Sequence, residues 1–361
     1  MTRRQAAKAA AFTAIFLALL IMLSYCLRTN GSVKDRFVGF YAEPKNSIDV
    51  LLIGSSPVFP YYATPQMYGE TGIAAYPLST NLQRPVAQLY LTKEGLKYQQ
   101  PRLLVYEVRM YTGRETDMTN NMAYTRGVTD NLRYSWNRIE AINAMVTDDL
   151  TAEDTERYTY YFDIFKYHSN WKTLVLPSQL RTALYAWPDA RKGYTGTDEV
   201  GPCELADWSQ VTARTPIPAV QERHLEELMA YLHQEGQQAL FLVSPYLHTE
   251  EQAEMFNYIG DKVTAQGFGF LNLNDYYGEI GIDGSRDFND YGNHTNASGA
   301  RKVTAFFENY LRENYDLPDR RGDDRYESWD EAYALWQEEN AAAEAKIDER
   351  IAAGDFAQPA E

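Results

Sequence analysis

Two adjacent hydroxyl side chains, Ser55 and Ser56, directly follow the strand-like segment Asp49–Gly54. A serine becomes a nucleophile when a neighbouring base accepts its proton, a third group orients that base, and hydrogen-bond donors stabilise the oxyanion. The same pair could instead cap a helix that follows a strand, a role that serine fills well. The choice depends on whether the chain supplies a base in the right place.

His294 is the best candidate for that base among the five histidines of the chain. It lies in the polar loop DFNDYGNHTNASGARKVT, with Asp287 and Asp290 upstream and a predicted helix downstream. The other histidines fit a solvated helix face, an aromatic cluster or a helix start, namely His168, His224, His233 and His248. A serine, a histidine and an aspartate together can perform acyl transfer.

The elements that must position these residues follow from hydrophobic patterning. Continuous apolar runs predict strands at Asp49–Gly54, Gly72–Leu78, Leu103–Val108, Ala239–Ser244 and Phe268–Leu273. Helical patterns lie between or after them at Arg84–Tyr98, Val220–His233, Glu250–Gln266 and Ala297–Arg312. This alternation predicts an α/β fold, a three-layer α/β/α sandwich with a mainly parallel sheet. Ligands of such sheets bind beyond the carboxyl ends of the strands, where Ser55 and Ser56 fall.

The N-terminus predicts a membrane anchor. Residues 1–8 form a basic stub with Arg3, Arg4 and Lys8, and residues 9–27 carry no charge. About 20 apolar residues span a bilayer, and flanking positive charge stays in the cytoplasm. A cleaved signal peptide is the alternative, but no clear small-residue cleavage site follows. We therefore expect a single-pass protein of the cell membrane, with a linker at 28–47 and an extracytoplasmic C-terminal domain.

Composition narrows the function further. The net charge of −16, without a Lys/Arg stripe, argues against a nucleic-acid surface. The only two cysteines are Cys26 and Cys203; because one lies in the anchor, neither an internal disulfide nor a cysteine metal site is expected. The α/β domain spans 48–318, with an aromatic-rich insertion at 111–218 that could be a lid, a substrate wall or a structural elaboration. The composition of residues 319–361 predicts an acidic surface helix with few core residues, one face of which could dock through Tyr326, Trp329, Tyr333 and Trp336.

The motifs at the two ends of the domain resemble those of the SGNH/GDSL hydrolase superfamily. The chain is similar to its membrane-anchored cell-envelope branch, which includes D-alanine-transfer and polysaccharide O-acetylation proteins. The resemblance covers roughly Ile48–Leu311. Aligning Gly54-Ser55-Ser56 with the family's Gly-Asp-Ser block implies that Ser56 is the nucleophile and that Ser55 replaces the aspartate.

The last block of the family is Asp-x-x-His, with two residues between the acid and the histidine. Here three residues separate Asp290 from His294. The resemblance implies that Asp290 is the triad acid, with Asp287 as the alternative. The following residues fit the branch's His-x-Asn-x-x-Gly-Ala pattern. The middle blocks depart from the family: Ser79 and Asn81 are the oxyanion candidates after the second strand, without the expected glycine.

After the third strand, Glu107 and Arg109 replace the family's Gly-x-Asn-Asp block. They could form a structural ion pair, or Arg109 could meet an anionic substrate. The resemblance implies a serine esterase or O-acyltransferase that acts on acyl esters of envelope glycans or polyols, without a metal or organic cofactor. It also implies a protein partner in an acyl-transfer system. The alternative is a catalytically degenerate SGNH-fold protein that binds envelope polysaccharide or a protein partner.

Overall fold

The computed structural model describes residues 1–28, 31–119, 122–147, 157–174, 176–185 and 187–358. The strands are β1 (Val50–Gly54), β2 (Ala75–Ser79), β3 (Leu103–Glu107), β4 (Ala239–Val243) and β5 (Gly269–Asn272). Helices up to the middle of the chain are α1 (Arg3–Leu27), α2 (Ser32–Ala42), α3 (Thr64–Thr71), α4 (Pro85–Tyr98), α5 (Glu115–Thr119), α6 (Met122–Thr129) and α7 (Trp136–Met145). Later helices are α8 (Tyr158–Tyr161), α9 (Ile164–Tyr167), α10 (Leu176–Leu184), α11 (Ala219–Gln234), α12 (Glu250–Ala265), α13 (Tyr277–Ile280), α14 (Ala297–Asn314) and α15 (Glu327–Ala353). Short 3₁₀ helices lie at Arg109–Thr112, His168–Thr173, Leu273–Tyr276 and Asp324–Tyr326.

The strands form one parallel sheet in the order β2-β1-β3-β4-β5. In the register of this sheet, Ile53 of β1 pairs with Leu78 of β2 and with Tyr106 of β3. The carboxyl ends of these three strands therefore lie side by side at one edge. The predicted α/β fold is confirmed.

Helices cover both faces of the sheet. One face, with Leu51, Ile53, Leu104, Tyr106, Phe241 and Val243, packs against apolar residues of α2, α4, α11 and α12. The other face, with Val50, Leu52, Leu103, Val105, Leu240 and Leu242, packs against α3 and α14. Because side chains alternate between two buried faces, the strands have continuous apolar sequences.

Three segments differ from the prediction. Residues 28–47, expected to be a linker, contain α2, which buries Phe37 and Phe40 in the core. The strand expected from Gly72 begins at Ala75, because Gly72 ends α3 in the left-handed conformation with φ 79°. The tail at 319–361, expected to have few core residues, buries three of the four aromatic side chains expected to dock, namely Tyr326, Trp329 and Trp336, and also buries Ile347.

The insertion at 111–218 forms helices α5 to α10, and α7 packs against α4. Its 157–185 region contacts the last turns of α1, where Tyr25 and Leu27 are buried. Most of α1 before Ser24 is exposed. Among the described residues, α1 is the one helix long and apolar enough to cross a membrane.

Candidate active site

Ser56 stands just beyond the carboxyl end of β1, in a tight turn. At Gly54 a Cβ atom would lie 2.6 Å from Glu107 Cβ and 2.8 Å from Val58 Cγ2, so this strand end has no room for a side chain. The turn is closed by a hydrogen bond from Val58 N–H to the Ser55 carbonyl, 3.1 Å long. Ser55 is buried and Ser56 is partly exposed, so Ser56 is the accessible hydroxyl.

His294 is held by a loop that turns back on itself before α14. Tyr291 and Gly292 have φ angles of 61° and 100°, and these left-handed residues reverse the chain between Asp290 and His294. The Asn289 N–H donates to the His294 carbonyl at 3.0 Å. Asn296 then caps α14 by accepting from the Ser298 and Gly299 N–H groups. The cap and the reversal together fix where the imidazole points.

Ser56, His294 and Asp290 form one hydrogen-bonded chain. The Ser56 Oγ lies 2.7 Å from His294 Nε2, and Asp290 Oδ2 lies 2.5 Å from His294 Nδ1. Because a carboxylate can only accept, this network assigns the imidazole proton to Nδ1 and leaves Nε2 free to accept from the serine. The geometry is that of a nucleophile, a base and an orienting acid.

The surroundings of Asp290 stabilise its ionised form. Its Oδ1 accepts from the N–H groups of His294 at 2.6 Å and Asn293 at 3.1 Å. Burial alone would raise the pKa of Asp290, but the hydrogen bonds from His294 and Asn293, together with attraction to the protonated imidazole, outweigh burial and hold the pKa below its usual value. The loop therefore presents a carboxylate to the ring.

Asp287, the alternative acid, has other partners. It is fully buried, accepts from Lys302 Nζ at 2.6 Å and Ser298 Oγ at 2.8 Å, and receives the Asp283 N–H at 2.7 Å. These contacts tie the loop that carries His294 to α14. Asp287 thus supports the loop, whereas Asp290 contacts the imidazole.

Arg109 lies beside the loop that carries His294. Its Nη1 donates to the Asn293 carbonyl at 3.0 Å, and its guanidinium lies 4.5 Å from the centre of the Tyr246 ring. Tyr61 Oη donates to the same carbonyl at 2.8 Å. Two donors from different parts of the chain therefore hold the residue that precedes His294.

The two oxyanion candidates do not join this network. Ser79 is fully buried, and its hydroxyl has no hydrogen-bond partner among the described residues. Asn81 is exposed at the end of the same strand connection. The Thr80 N–H donates to the Gly54 carbonyl at 3.4 Å, which keeps this connection next to the nucleophile turn. Their role in binding an oxyanion stays a prediction.

Glu107 is a buried carboxyl group at the end of β3. From the sequence, its only indicated role is that of a possible ion-pair partner of Arg109. Its Oε1 accepts from the Arg109 N–H at 3.1 Å, and its Oε2 has no partner in the described part of the chain. Burial raises the pKa of Glu107 to about 7, although Arg109 and two backbone N–H groups pull it down. An acidic residue at the end of an otherwise apolar run is the signal that could have identified it.

The insertion flanks the same edge of the sheet. A Cβ atom on Gly127 of α6 would lie 3.6 Å from Thr80 Cβ, so α6 packs beside the connection that follows β2. Arg84, at the start of α4, donates to Thr125 Oγ1 at 3.0 Å and to the Met145 carbonyl at 2.7 Å. These contacts make α6 and α7 a wall next to the carboxyl edge.

No protein-family model matches this chain, and no curated protein matches its sequence significantly. The assignment of a function therefore depends on the geometry of the chain's own residues.

Proposed function

We propose that this protein is a membrane-anchored serine esterase or O-acyltransferase that acts on acyl esters of cell-envelope glycans or polyols. The observation that carries the proposal is the chain of hydrogen bonds from Ser56 through His294 to Asp290. The strand order 2-1-3-4-5, typical of flavodoxin-like sheets, supports it. In this order Ser56 follows the strand at which the winding direction changes, where such sheets bind ligands.

In the first half-reaction, Ser56 Oγ attacks the ester carbonyl while His294 Nε2 accepts the hydroxyl proton. The carbon–oxygen bond to the leaving group then breaks, and the imidazolium returns that proton to the leaving alkoxide. The product is an acyl ester on Ser56 and a free alcohol. Asp290 stabilises the imidazolium without taking its proton.

In the second half-reaction, a water or a glycan hydroxyl attacks the acyl-serine. His294 accepts the proton of the attacking group and delivers it to Ser56 Oγ as the acyl–serine bond breaks. Water as acceptor makes the protein a hydrolase, and a sugar hydroxyl makes it a transferase. We expect the Ser56 N–H and the connection carrying Ser79 and Asn81 to face the oxyanion.

In the proposed topology, α1 spans the cell membrane and the α/β domain lies on the extracytoplasmic side. The basic residues Arg3, Arg4 and Lys8 precede the apolar part of α1 and favour a cytoplasmic N-terminus. Protease added to intact cells should therefore digest the domain. Protection in intact cells, with digestion only after lysis, would reverse the topology.

A fluorophosphonate probe, which reacts with activated serines, tests the catalytic proposal on the full-length protein in detergent. Labelling should disappear in Ser56→Ala and persist in Ser55→Ala. Ser55 is the matched control because its buried hydroxyl has no hydrogen-bond partner among the described residues, so its loss should disturb the fold little. Labelling that survives in Ser56→Ala would exclude the triad.

Glycan binding without catalysis is the second candidate function, and one cavity favours it. The cavity of about 710 Å³ lies between α2, the 189–198 segment and α15. Among its lining residues, Tyr194, Trp336 and Asn340 are buried, and each has a polar atom without a partner in the described residues. The lining combines these aromatic rings with charged residues such as Asp189, Arg191 and Glu339, and such a combination suits a sugar with several hydroxyl groups. Calorimetric binding of envelope oligosaccharides that is lost in Trp336→Phe, with no probe labelling of the wild type, would favour this function.

A further inference from the structure

Exposed apolar side chains are concentrated in the insertion. They include Trp136, Tyr158, Phe162, Phe165, Trp171, Leu174, Leu180 and Leu184, each at least 37% exposed. Beyond α1 with its preceding Met1 and the insertion, the described chain exposes only Leu247 and Phe356 among its large hydrophobic residues. A concentration of this kind marks a surface that contacts another apolar phase.

This surface surrounds the end of α1. Asn170 Nδ2 donates to the Leu27 carbonyl at 2.9 Å, which places its neighbour Trp171 beside the last turn of the helix. Cys26 Sγ donates to the Gln179 carbonyl at 3.9 Å, next to Leu180.

A third contact comes from the start of α7. The Tyr134 N–H donates to Tyr25 Oη at 2.9 Å, just before Trp136. Three separate parts of the insertion thus bring exposed apolar side chains to the point where α1 becomes buried.

The middle part of this surface is a stripe. Phe162, Phe165, Trp171 and Leu174 recur at multiples of three residues. Trp171 lies in the 3₁₀ helix His168–Thr173 and Leu174 directly follows it, whereas Phe165 lies in α9 and Phe162 follows α8. All four side chains are exposed. An amphipathic segment of this type is suited to lie along a membrane interface.

The charge of the stripe differs from that of the rest of the protein. Residues 157–174 contain Arg157, Lys166 and Lys172, and their only acidic residue is Asp163. The Asp163 carboxylate is buried in an ion pair with Arg28, 2.6 Å long. Residues 157–174 therefore carry a net charge of +2, whereas the preceding residues 148–156 contain five acidic residues and no basic one.

We infer that Trp136, Phe162, Phe165, Trp171, Leu174 and Leu180 form an aromatic collar that inserts into the interfacial layer of the bilayer that α1 spans. The inference rests on the anchoring part of the proposed function. Side chains of α1 are mostly exposed as far as Leu23 and become buried from Ser24, which sets the level at which the helix leaves the lipid. Trp136 and Trp171 suit that level because an indole has an apolar body and a polar N–H, and the Phe and Leu side chains of the collar add apolar area.

The collar would fix the orientation of the catalytic domain. The insertion reaches from the end of α1 to the connection after β2, where α6 contacts Thr80 near Ser56. Seating the insertion in the interface therefore holds the active site at a set position relative to the membrane. Its substrates are then acyl esters presented at the lipid surface.

Bromolipid quenching of tryptophan fluorescence tests the inference. The full-length protein is reconstituted in vesicles of phosphatidylcholine brominated near the headgroup, beside unbrominated vesicles. Because Trp187 is also exposed in the insertion, the variants are made in a Trp187→Phe background. In that background Trp136→Phe and Trp171→Phe should each remove part of the quenchable emission, and the double variant with both substitutions should remove most of it. Trp208→Phe is the control, because Trp208 Nε1 donates to the His248 carbonyl beyond β4 at 2.9 Å. Thermal melts followed by far-ultraviolet circular dichroism verify that each variant is folded.

The outcomes distinguish a failure of the collar from a failure of the proposed enzyme function. If the double variant keeps its quenching while the protein resists alkaline extraction and is labelled, the collar is excluded and the enzyme proposal stands. If alkaline extraction releases the protein from the vesicles, both the membrane anchor and the collar are excluded. Quenching that falls as protein density rises, with cross-links between copies, would make this face a dimer contact instead. Loss of labelling with normal quenching would exclude the enzyme but leave the collar.

Discussion

The acid that orients His294 is determined by the path of a loop. Asp290 and Asp287 are both close in sequence, and counting residues does not distinguish them because the chain reverses at Tyr291 and Gly292. The order of a serine after the first strand and a histidine before the last helix could be predicted, since both positions follow from the alternation of elements. The path of a polar loop has no periodic pattern, so the sequence alone does not determine which of the two acids contacts the imidazole.

Substitution of each acid should give a different defect. Asp290→Asn should lower ester turnover on the order of 10⁴-fold with little change in melting temperature, because the amide favours the wrong imidazole tautomer. Asp287→Asn should instead lower the free energy of unfolding by about 3 kcal/mol, because the buried pair with Lys302 is broken. Turnover of a soluble ester and thermal melts of both variants in detergent check this. A large rate loss confined to Asp287→Asn would reverse the two roles.

Glu107 should make stability depend on pH. The folded protein holds this proton up to a pKa of about 7, whereas the ordinary pKa of a glutamate is 4.5. Between those values the folded state binds more protons than the unfolded state, so the free energy of unfolding falls as pH rises. The difference between the two pKa values corresponds to a loss on the order of 3 kcal/mol. The neighbouring Tyr61, Tyr62 and Tyr246 stay neutral in this range because burial raises the pKa of each.

Glu107→Gln removes this titration, and Arg109 keeps its contact with the Asn293 carbonyl. We expect the variant to gain stability relative to the wild type when pH is raised from 5 to 8. Denaturant unfolding of both proteins at the two pH values measures the change. A stability difference that does not vary with pH would mean that Glu107 is already ionised at pH 5 in the folded protein.

At the scale of elements, a strand or helix could be predicted from sequence when its own burial imposes an apolar pattern on its residues. β1, β3 and β4 could be predicted because strands covered on both faces must be apolar throughout. The helix α3, TPQMYGET, has no apolar stripe, and its presence becomes understandable only when α15 covers it. Its burial depends on a segment that follows hundreds of residues later. The local sequence of α3 contains no signal of a contact with such a distant segment.

The contact between α3 and α15 predicts an unusual response to alanine. Alanine normally stabilises a helix relative to glycine by about 1 kcal/mol. At Gly69 a Cβ atom would collide with the Tyr333 ring, which itself stacks on Trp336 with centroids 5.9 Å apart. Gly69→Ala should therefore lower the free energy of unfolding by about 1–3 kcal/mol. Gly278→Ala in α13 is the control, because its Cβ would meet no atom within 4 Å. Equal melting temperatures for the two variants would argue against close packing of α15.

At the scale of the whole molecule, distant segments meet in buried polar clusters. Lys192 is fully buried, and its Nζ lies 2.9 Å from Glu43 Oε1 after α2 and 2.8 Å from Ser328 Oγ in α15. Nothing in the composition of the three segments indicates that they pair, because each reads as a polar surface stretch. This is why the positions of α2 and α15 could not be predicted, although the sheet could.

Arg28 connects the end of α1 to the insertion of the α/β domain in the same manner. Its Nε lies 2.6 Å from Asp163 Oδ2, both side chains are almost fully buried, and Arg138 remains 3.8 Å from the same carboxylate. Arg28→Ala leaves Asp163 with one distant cation, and loss of a partner from a buried pair costs about 3–5 kcal/mol. We expect the insertion to open more often, so that trypsin cleaves after the exposed Lys172 roughly 100-fold faster.

Turnover of a soluble ester should be unchanged in intact Arg28→Ala, because Ser56 and His294 are held by β1 and the loop before α14. Arg114→Ala is the matched control: its pair with Asp117 is exposed, and such pairs contribute at most about 1 kcal/mol. Cleavage rates and initial hydrolysis rates are measured on the three full-length proteins in detergent. Equal cleavage of Arg28→Ala and wild type would mean that the anchor is not held to the insertion by this ion pair. A loss of turnover before any cleavage would mean that the junction and the active site are coupled through the insertion, and the two would then have to be treated as one cooperative unit.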